Sequence, residues 1–140
     1  MDFSDKKCVM IIDENLPVGV IANTAAILGI TLGKQFPEAV GRDVADKCGM
    51  AHLGIIEFPV PVLKGSPELI REIRQRLHTK EFEDVAAVDF SQTAQYCKTY
   101  DEFVQKIAET EAESLIYLGI GLFGGKKKIN RLTGNLPLLR

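Results

Sequence analysis

Cysteine is scarce and scattered in this 140-residue chain. Cys8, Cys48 and Cys97 form no Cys-x-x-Cys pair, and an odd set of this kind reads as reduced intracellular thiols rather than a disulfide framework. Charge of one sign is lacking too. A net charge of −2 excludes a protein whose whole surface grips nucleic acid, because phosphate binding needs clustered Lys and Arg. No stretch is long and uniformly apolar. The longest apolar segment, residues 16–33, is broken by Pro17, Asn23, Thr24, Thr31 and three glycines, so no membrane span is expected. The start, MDFSDKKCVMIID, is too polar for a secretory signal, and a cytoplasmic location is expected. Internal repeats, linkers and low-complexity segments are lacking, so residues 1–140 read as one domain. What is present is ordinary: 46% hydrophobic and 26% charged residues, enough for a core that needs no disulfide or metal.

The patterning alternates strand and helix. Residues 8–12 are a continuous apolar run that fits a strand buried on both faces. Pro17 or Gly19 opens an apolar helix to about Gln35, expected to be covered on most sides. Residues 36–51 read as a connection, and residues 52–63 should hold a second strand, with Pro59 and Pro61 facing one unpaired edge. Ser66-Pro67-Glu68 starts an amphipathic helix whose apolar face is Leu69, Ile70, Ile73 and Leu77, with Arg71, Arg74 and Arg76 opposite; His78 falls in its last turn and reads as structural. Residues 85–90 are a third strand and residues 91–98 a polar loop. Thr99 with Glu102 makes a capping box for a helix to about Glu111, carrying Phe103, Val104 and Ile107 inward. Residues 115–120 are the fourth strand. This order implies an α/β layered sheet with some parallel pairing.

The end of the chain, LGIGLFGGKKKINRLTGNLPLLR, is its most distinctive stretch: an apolar strand, glycines, a basic helix-like segment, then Leu132-Thr133-Gly134 and an apolar tail. It resembles the C-terminus of the class II peptidyl-tRNA hydrolases. There a Gly-Ile-Gly strand end leads through a short helix into Val-Thr-Gly-His-Leu; here Thr133, Gly134 and Leu136 match and Asn135 stands at the histidine. The whole chain looks closer still to the bacterial domain of unknown function 2000 family. The resemblance implies a three-layer α/β/α fold with a mixed, mostly parallel sheet of about four strands. It also marks Asp89 and Thr93, in Asp-Phe-Ser-Gln-Thr after the third strand, as the aspartate and threonine of that class's active site. A carboxylate there would activate a water and a hydroxyl would position it. By the bland alternative, Asp89 caps a turn. That class also carries lysine and histidine in a Gly-Lys-Ile-Ala-Ala-Gln-x-x-His run; Val20 and Ile27 replace them here.

Ligands of open α/β sheets gather at strand carboxyl ends, and three are expected here: Asp13-Glu14, Asp89–Gln95 and Gly119–Gly125. Asn23 and Thr24, the polar positions early in the first helix, join Gln95, Gly119, Gly121, Lys126 and Lys127 as candidate substrate-binding residues. Residues 126–140 hold five basic residues and no acid, against five acids and one lysine in residues 99–113. That asymmetry suits RNA phosphate, a second molecule, or plain solvation. Gly119-x-Gly121-x-x-Gly124 lacks the strand order and later acidic residue of a dinucleotide fingerprint, and the P-loop spacing fails. Asp43, Asp46, Cys48 and His52 match no metal motif, and Cys97 has no histidine near it in sequence. Ser-x-x-Lys, Gly-x-Ser-x-Gly and His-Glu-x-x-His are absent.

Two functions follow. One is a hydrolase of an ester or amide on an RNA or nucleotide-like substrate. The other is a non-catalytic module binding a small anionic ligand, RNA or a protein partner. No metal or cofactor is expected. A homodimer is, with residues 136–139 packed on a second subunit.

Overall fold

Strand β1, Lys6–Asp13, is buried from Cys8 onward on both faces, which is why its sequence is continuously apolar rather than alternating. The computed structural model describes residues 3–140. Strand β1 pairs in parallel with β4, Val62–Gly65, and antiparallel with β6, Tyr117–Gly125, which in turn pairs antiparallel with β5, Ala86–Ser91. The sheet order is β4-β1-β6-β5. Three of the four strands run the same way. Because β6 inserts between β1 and β5, only one neighbouring pair is parallel, so the expected mostly parallel sheet is a mixed one with antiparallel pairs in the majority.

Helices cover both faces. Helix α1, Val18–Gln35, packs over Cys8, Met10 and Ile12 on one side. Helices α2, Pro67–Arg76, and α5, Lys126–Thr133, pack over Val9, Ile11, Ile120 and Leu122 on the other. Burying each such Ile, Leu or Val contributes about 1.5–3 kcal/mol, so the two apolar layers are the main stabilising term. Ser66 caps α2 by accepting from the Leu69 amide, and Thr99 caps α4, Tyr100–Ala108, by accepting from the Glu102 amide. Both caps lie where the sequence puts them.

Several boundaries differ from the sequence reading, each for a physical reason. The strand expected within residues 52–63 begins at Val62, past both prolines, which have no N–H to give the ladder. The stretch before it, residues 36–51, expected as a connection, holds most of a two-stranded ribbon, β2 Val44–Ala45 and β3 Ala51–His52. The polar loop of residues 91–98 contains helix α3, Gln92–Tyr96, started by Ser91 accepting from the Ala94 amide. Helix α4 stops at Ala108, and Val104 faces solvent rather than inward. Helix α1 is not covered on most sides: Thr24, Leu28 and Leu32 are buried and Val18 and Ile30 stand out in solvent.

The fourth strand does not end at residue 120: β6 runs on through the glycines to Gly125. Gly119 and Gly121 lie inside β6, under α1. A Cβ on Gly119 would stand 2.6 Å from Thr24 Cγ2, and one on Gly121 would meet Met10 Sδ at 3.0 Å and Leu32 Cδ1 at 3.1 Å. Glycine there lets the helix lie directly on the strand.

The C-terminal tail stays on its own chain. The Lys64 amide donates to Pro137 O at 2.9 Å and the Leu139 amide to Val62 O at 2.8 Å, with Leu63 opposite Leu138. The tail thereby covers the open edge of β4, where an unpaired strand would invite association. Packing of residues 136–139 on a second subunit is thus replaced by packing at home.

Candidate functional site

The strand directions decide which candidate residues can meet. The carboxyl ends of β1, β4 and β5, at Asp13, Gly65 and Ser91, lie at one end of the sheet. Strand β6 runs the other way, and its last residue, Gly125, pairs with Lys6 at the opposite end. The end of the glycine stretch, expected as a strand carboxyl end beside Asp89, is therefore at the opposite end of the sheet. From Gly119 to Lys126 the strand advances about 23 Å at ~3.3 Å per residue, so Lys126 and Lys127 sit far from Asp89. The basic helix α5 is also partly neutralised: Lys128 Nζ donates to Asp84 Oδ1 at 2.8 Å, and Arg131 pairs with Glu81. The Lys128 hydrogen bond holds the Asp84 carboxyl below its ordinary pKa.

The two sides of the sheet separate the rest. Asn23 is exposed on α1. Thr24 is buried beside it, its hydroxyl donating to Val20 O at 2.7 Å. Gly119 and Gly121 face this same helix, and their Cβ positions are filled by Thr24, Leu28 and Leu32, which leaves a ligand no room there. The Asp89 carboxylate is on the other side. Arg74 Nε, from α2, donates to Asp89 Oδ2 at 3.1 Å, with both side chains about a third exposed. Asn23, Asp89 and Gly121 thus do not line one hollow. Asp89, Thr93 and Gln95 do stay close in sequence, the last two half-buried on α3 just beyond the end of β5. Asp13 is engaged locally, accepting from the Asn15 amide at 3.0 Å in a turn that closes β1 before Pro17.

Near Asp89 the structure assembles two arginines expected on the polar face of α2 and the histidine expected to be structural in its last turn. Arg71, Arg74 and His78 recur at three- and four-residue spacing, which places them on one strip of the helix and its continuation. That strip faces the start of β6. With Tyr117 and Glu113 they line a hollow of about 160 Å³ at the carboxyl-end side of the sheet. Arg71 Nη2 donates to Leu115 O at 3.0 Å, while Arg71 Nε is buried and has no hydrogen-bond partner. Tyr117 is 2% exposed, and burial, with the nearby Asp89 charge, raises its phenol pKa. The spacing was legible in the sequence; that this strip, and not its neighbour, turns to the sheet edge was not.

On the α1 side of β5 lies a larger and mostly apolar cleft of about 460 Å³. Ile27, Phe90 and Phe103 line it together with Asp89, Cys97 and Lys98, so Asp89 of the edge strand borders this cleft as well. Among the described residues no group of three or more His, Cys, Asp or Glu is placed to hold a metal ion, and no helix is long and apolar enough to cross a membrane. Asp46 and His52 meet at 2.8 Å, which lowers the Asp46 pKa, but they serve the turn of the β2–β3 ribbon.

The model of a family described as protein of unknown function (DUF2000) matches residues 6–140. Among solved structures, that of the protein of unknown function Atu0240 from Agrobacterium tumefaciens strain C58 is similar. It superposes with a TM-score of 0.85 at 20% identity, covering 96% of this chain and 97% of that one. At that identity the likeness speaks for the fold. No curated protein matches the chain.

Proposed function

The chain belongs to the DUF2000 family of proteins of unknown function, and we propose that it is a binding module for a small ligand bearing a carboxylate or phosphate. The observation that carries this reading is the convergence of Arg71, Arg74 and His78 with the buried Tyr117 on one hollow. Two guanidinium groups offer planar donor pairs that match such anions. The hollow, at about 160 Å³, is smaller than a whole drug-sized site and suits a head group, with the rest of the ligand outside. The test is calorimetric titration with inorganic phosphate and with citrate. Binding that weakens at least tenfold in Arg71→Met supports the reading. Equal binding to both proteins, or none to either, removes it.

The resemblance to class II peptidyl-tRNA hydrolases sustains a second reading, a hydrolase on a fold of that type. Asp89 would activate water and Thr93 would position it. Asp89 lies in the last half of β5 and Thr93 in helix α3 that follows it. Against it, Arg74 already holds an oxygen of that carboxylate. Hydrolysis of peptidyl-tRNA by purified protein, lost in Asp89→Ala, would favour this reading over simple binding. RNA as a partner and a cytoplasmic location belong to the same reading.

A further inference from the structure

Helix α1 carries no charge on any side over its first four turns, with Asn23 the polar side chain exposed on its outer face, yet the chain covers only one side. From residue 18 to residue 33 it contains no charged side chain. Val18 is 84% exposed and Ile30 is 75% exposed, and Ala22 and Ala26 lie exposed between them. A solvent-facing helix side normally carries charge, and a helix apolar all round is one that is buried all round. Single exposed apolar residues are common; an uncharged strip four turns long is a patch.

A second apolar surface adjoins it. Residues 40–56 form an arm: Val40 bridges Ile56, the Gly41 amide donates to Ile55 O at 2.9 Å, and the β2–β3 ribbon makes the tip. The tip is built, not slack. Gly49 takes a φ of 85°, and the Asp46 carboxylate accepts from the Cys48 and Met50 amides and meets His52. Such a loop with a left-handed glycine is a regular hairpin device. Residues 42–53 are nonetheless all exposed, with Leu53 at 83% and nearby Ile55 at 79%. Ordering a ribbon costs conformational entropy that these side chains do not recover within their own chain. The base of the arm runs beside the helix, where Gly29, Gly33, Val40 and Ile56 share one apolar hollow. Helix face and arm are thus one continuous surface.

We propose that this surface is the interface of a two-fold homodimer, in which each arm lies on the α1 face of the other copy. Three observations favour a second copy of this chain as the occupant. The first is area. A monomer of 15.5 kDa should expose about 7,200 Å². The chain exposes 9053 Å², so about 1,800 Å² is surplus, more than the ~800 Å² that each partner gives a standard interface. The second is shape. An exposed arm carrying Val44, Met50, Leu53 and Ile55 and a flat helix face with small residues at Ala22, Ala26 and Gly29 are complementary, and a closed two-fold satisfies both at once. The third is charge. The helix strip has none, and the arm balances Arg42 and Lys47 against Asp43 and Asp46, so two copies do not repel.

Light scattering on the full chain tests this directly. The expected mass is twice 15.5 kDa. Ile30→Glu on the helix and Leu53→Glu on the arm should each give a monomer with an unchanged circular dichroism spectrum, since both positions are exposed within one chain. If either variant proves insoluble, Ala26→Lys and Ile55→Lys replace them at the same two surfaces. A wild-type monomer overturns the proposal, whatever else the face then binds. So does a dimer that persists in variants of both surfaces.

Discussion

Arg74 Nε donates to Asp89 Oδ2 at 3.1 Å, tying helix α2 to the edge strand β5 across the side of the sheet opposite α1. This one bond changes what Asp89 can do. The carboxylate competes with any incoming anion for Arg74, so removing its charge should help an anion bind. In Asp89→Asn, phosphate binding is expected to tighten about three- to tenfold, equivalent to ~0.7–1.4 kcal/mol, measured by calorimetry. A hydrolase in which Asp89 is the base predicts lost turnover and no such tightening.

The close approach of α1 to β6 gives a sharper test of packing. Gly119→Ala should destabilise the protein by about 1–3 kcal/mol, because the new methyl meets Thr24 Cγ2 at 2.6 Å and Leu28 Cδ1 at 3.3 Å. Thr24→Ser removes that Cγ2 and keeps the hydroxyl that bonds Val20 O. Urea unfolding of the double variant should recover a large part of the loss. Additive losses would show that the helix, not the methyl contact, responds.

Removing residues 136–140 should cost about 2–4 kcal/mol, since it deletes two backbone hydrogen bonds to β4 and the packing of Leu136 and Leu139. The truncated protein should also aggregate on standing, because the β4 edge is then open. Thermal unfolding and light scattering read the two effects separately. A truncated chain as stable as the whole would show that the tail is dispensable.

The three thiols should react in order of exposure. Cys48 is exposed, Cys97 is partly covered and Cys8 is buried. An aromatic disulfide reagent should modify Cys48 at once, Cys97 more slowly, and Cys8 only on unfolding.

Burial pushes the Cys8 thiol up to about 11 from an ordinary 9.0. The folded state holds this proton more tightly than the unfolded chain does. Its contribution is therefore whole below pH 9 and is lost as pH rises towards 11, up to roughly 2–3 kcal/mol. Tyr117, raised by burial, adds a loss of the same sign at still higher pH. Cys8→Ala should flatten the alkaline limb of the stability profile. An unchanged limb would assign it to other groups.

Local signals were legible because they act over a few residues. The Ser66 and Thr99 caps, the apolar face of α2, the run of β1 and the start of α1 follow from side chains bonding or burying next to themselves in sequence. Misreadings came where a distant segment decides. The glycines of residues 119–125 look like a turn, and only the arrival of α1 over β6 shows that they are there to make room for a helix. Residues 91–98 look like loop until Ser91 is placed as a cap. The tail at residues 136–139 looks like a surface for another subunit, and the edge of β4 takes it first.

The chain by itself determined an α/β layering, because the alternation of apolar periods is local and needs no knowledge of neighbours. It marked Asp89 as a strand-end acid for the same reason. Which residues meet there was decided only by the fold. Strand β6 enters between β1 and β5 in the opposite direction, so Lys126 and Lys127 are carried to the far end. The helix strip of Arg71, Arg74 and His78 is brought to Tyr117 instead. Strand direction and helix facing depend on pairings between segments tens of residues apart, and no spacing along the sequence encodes them.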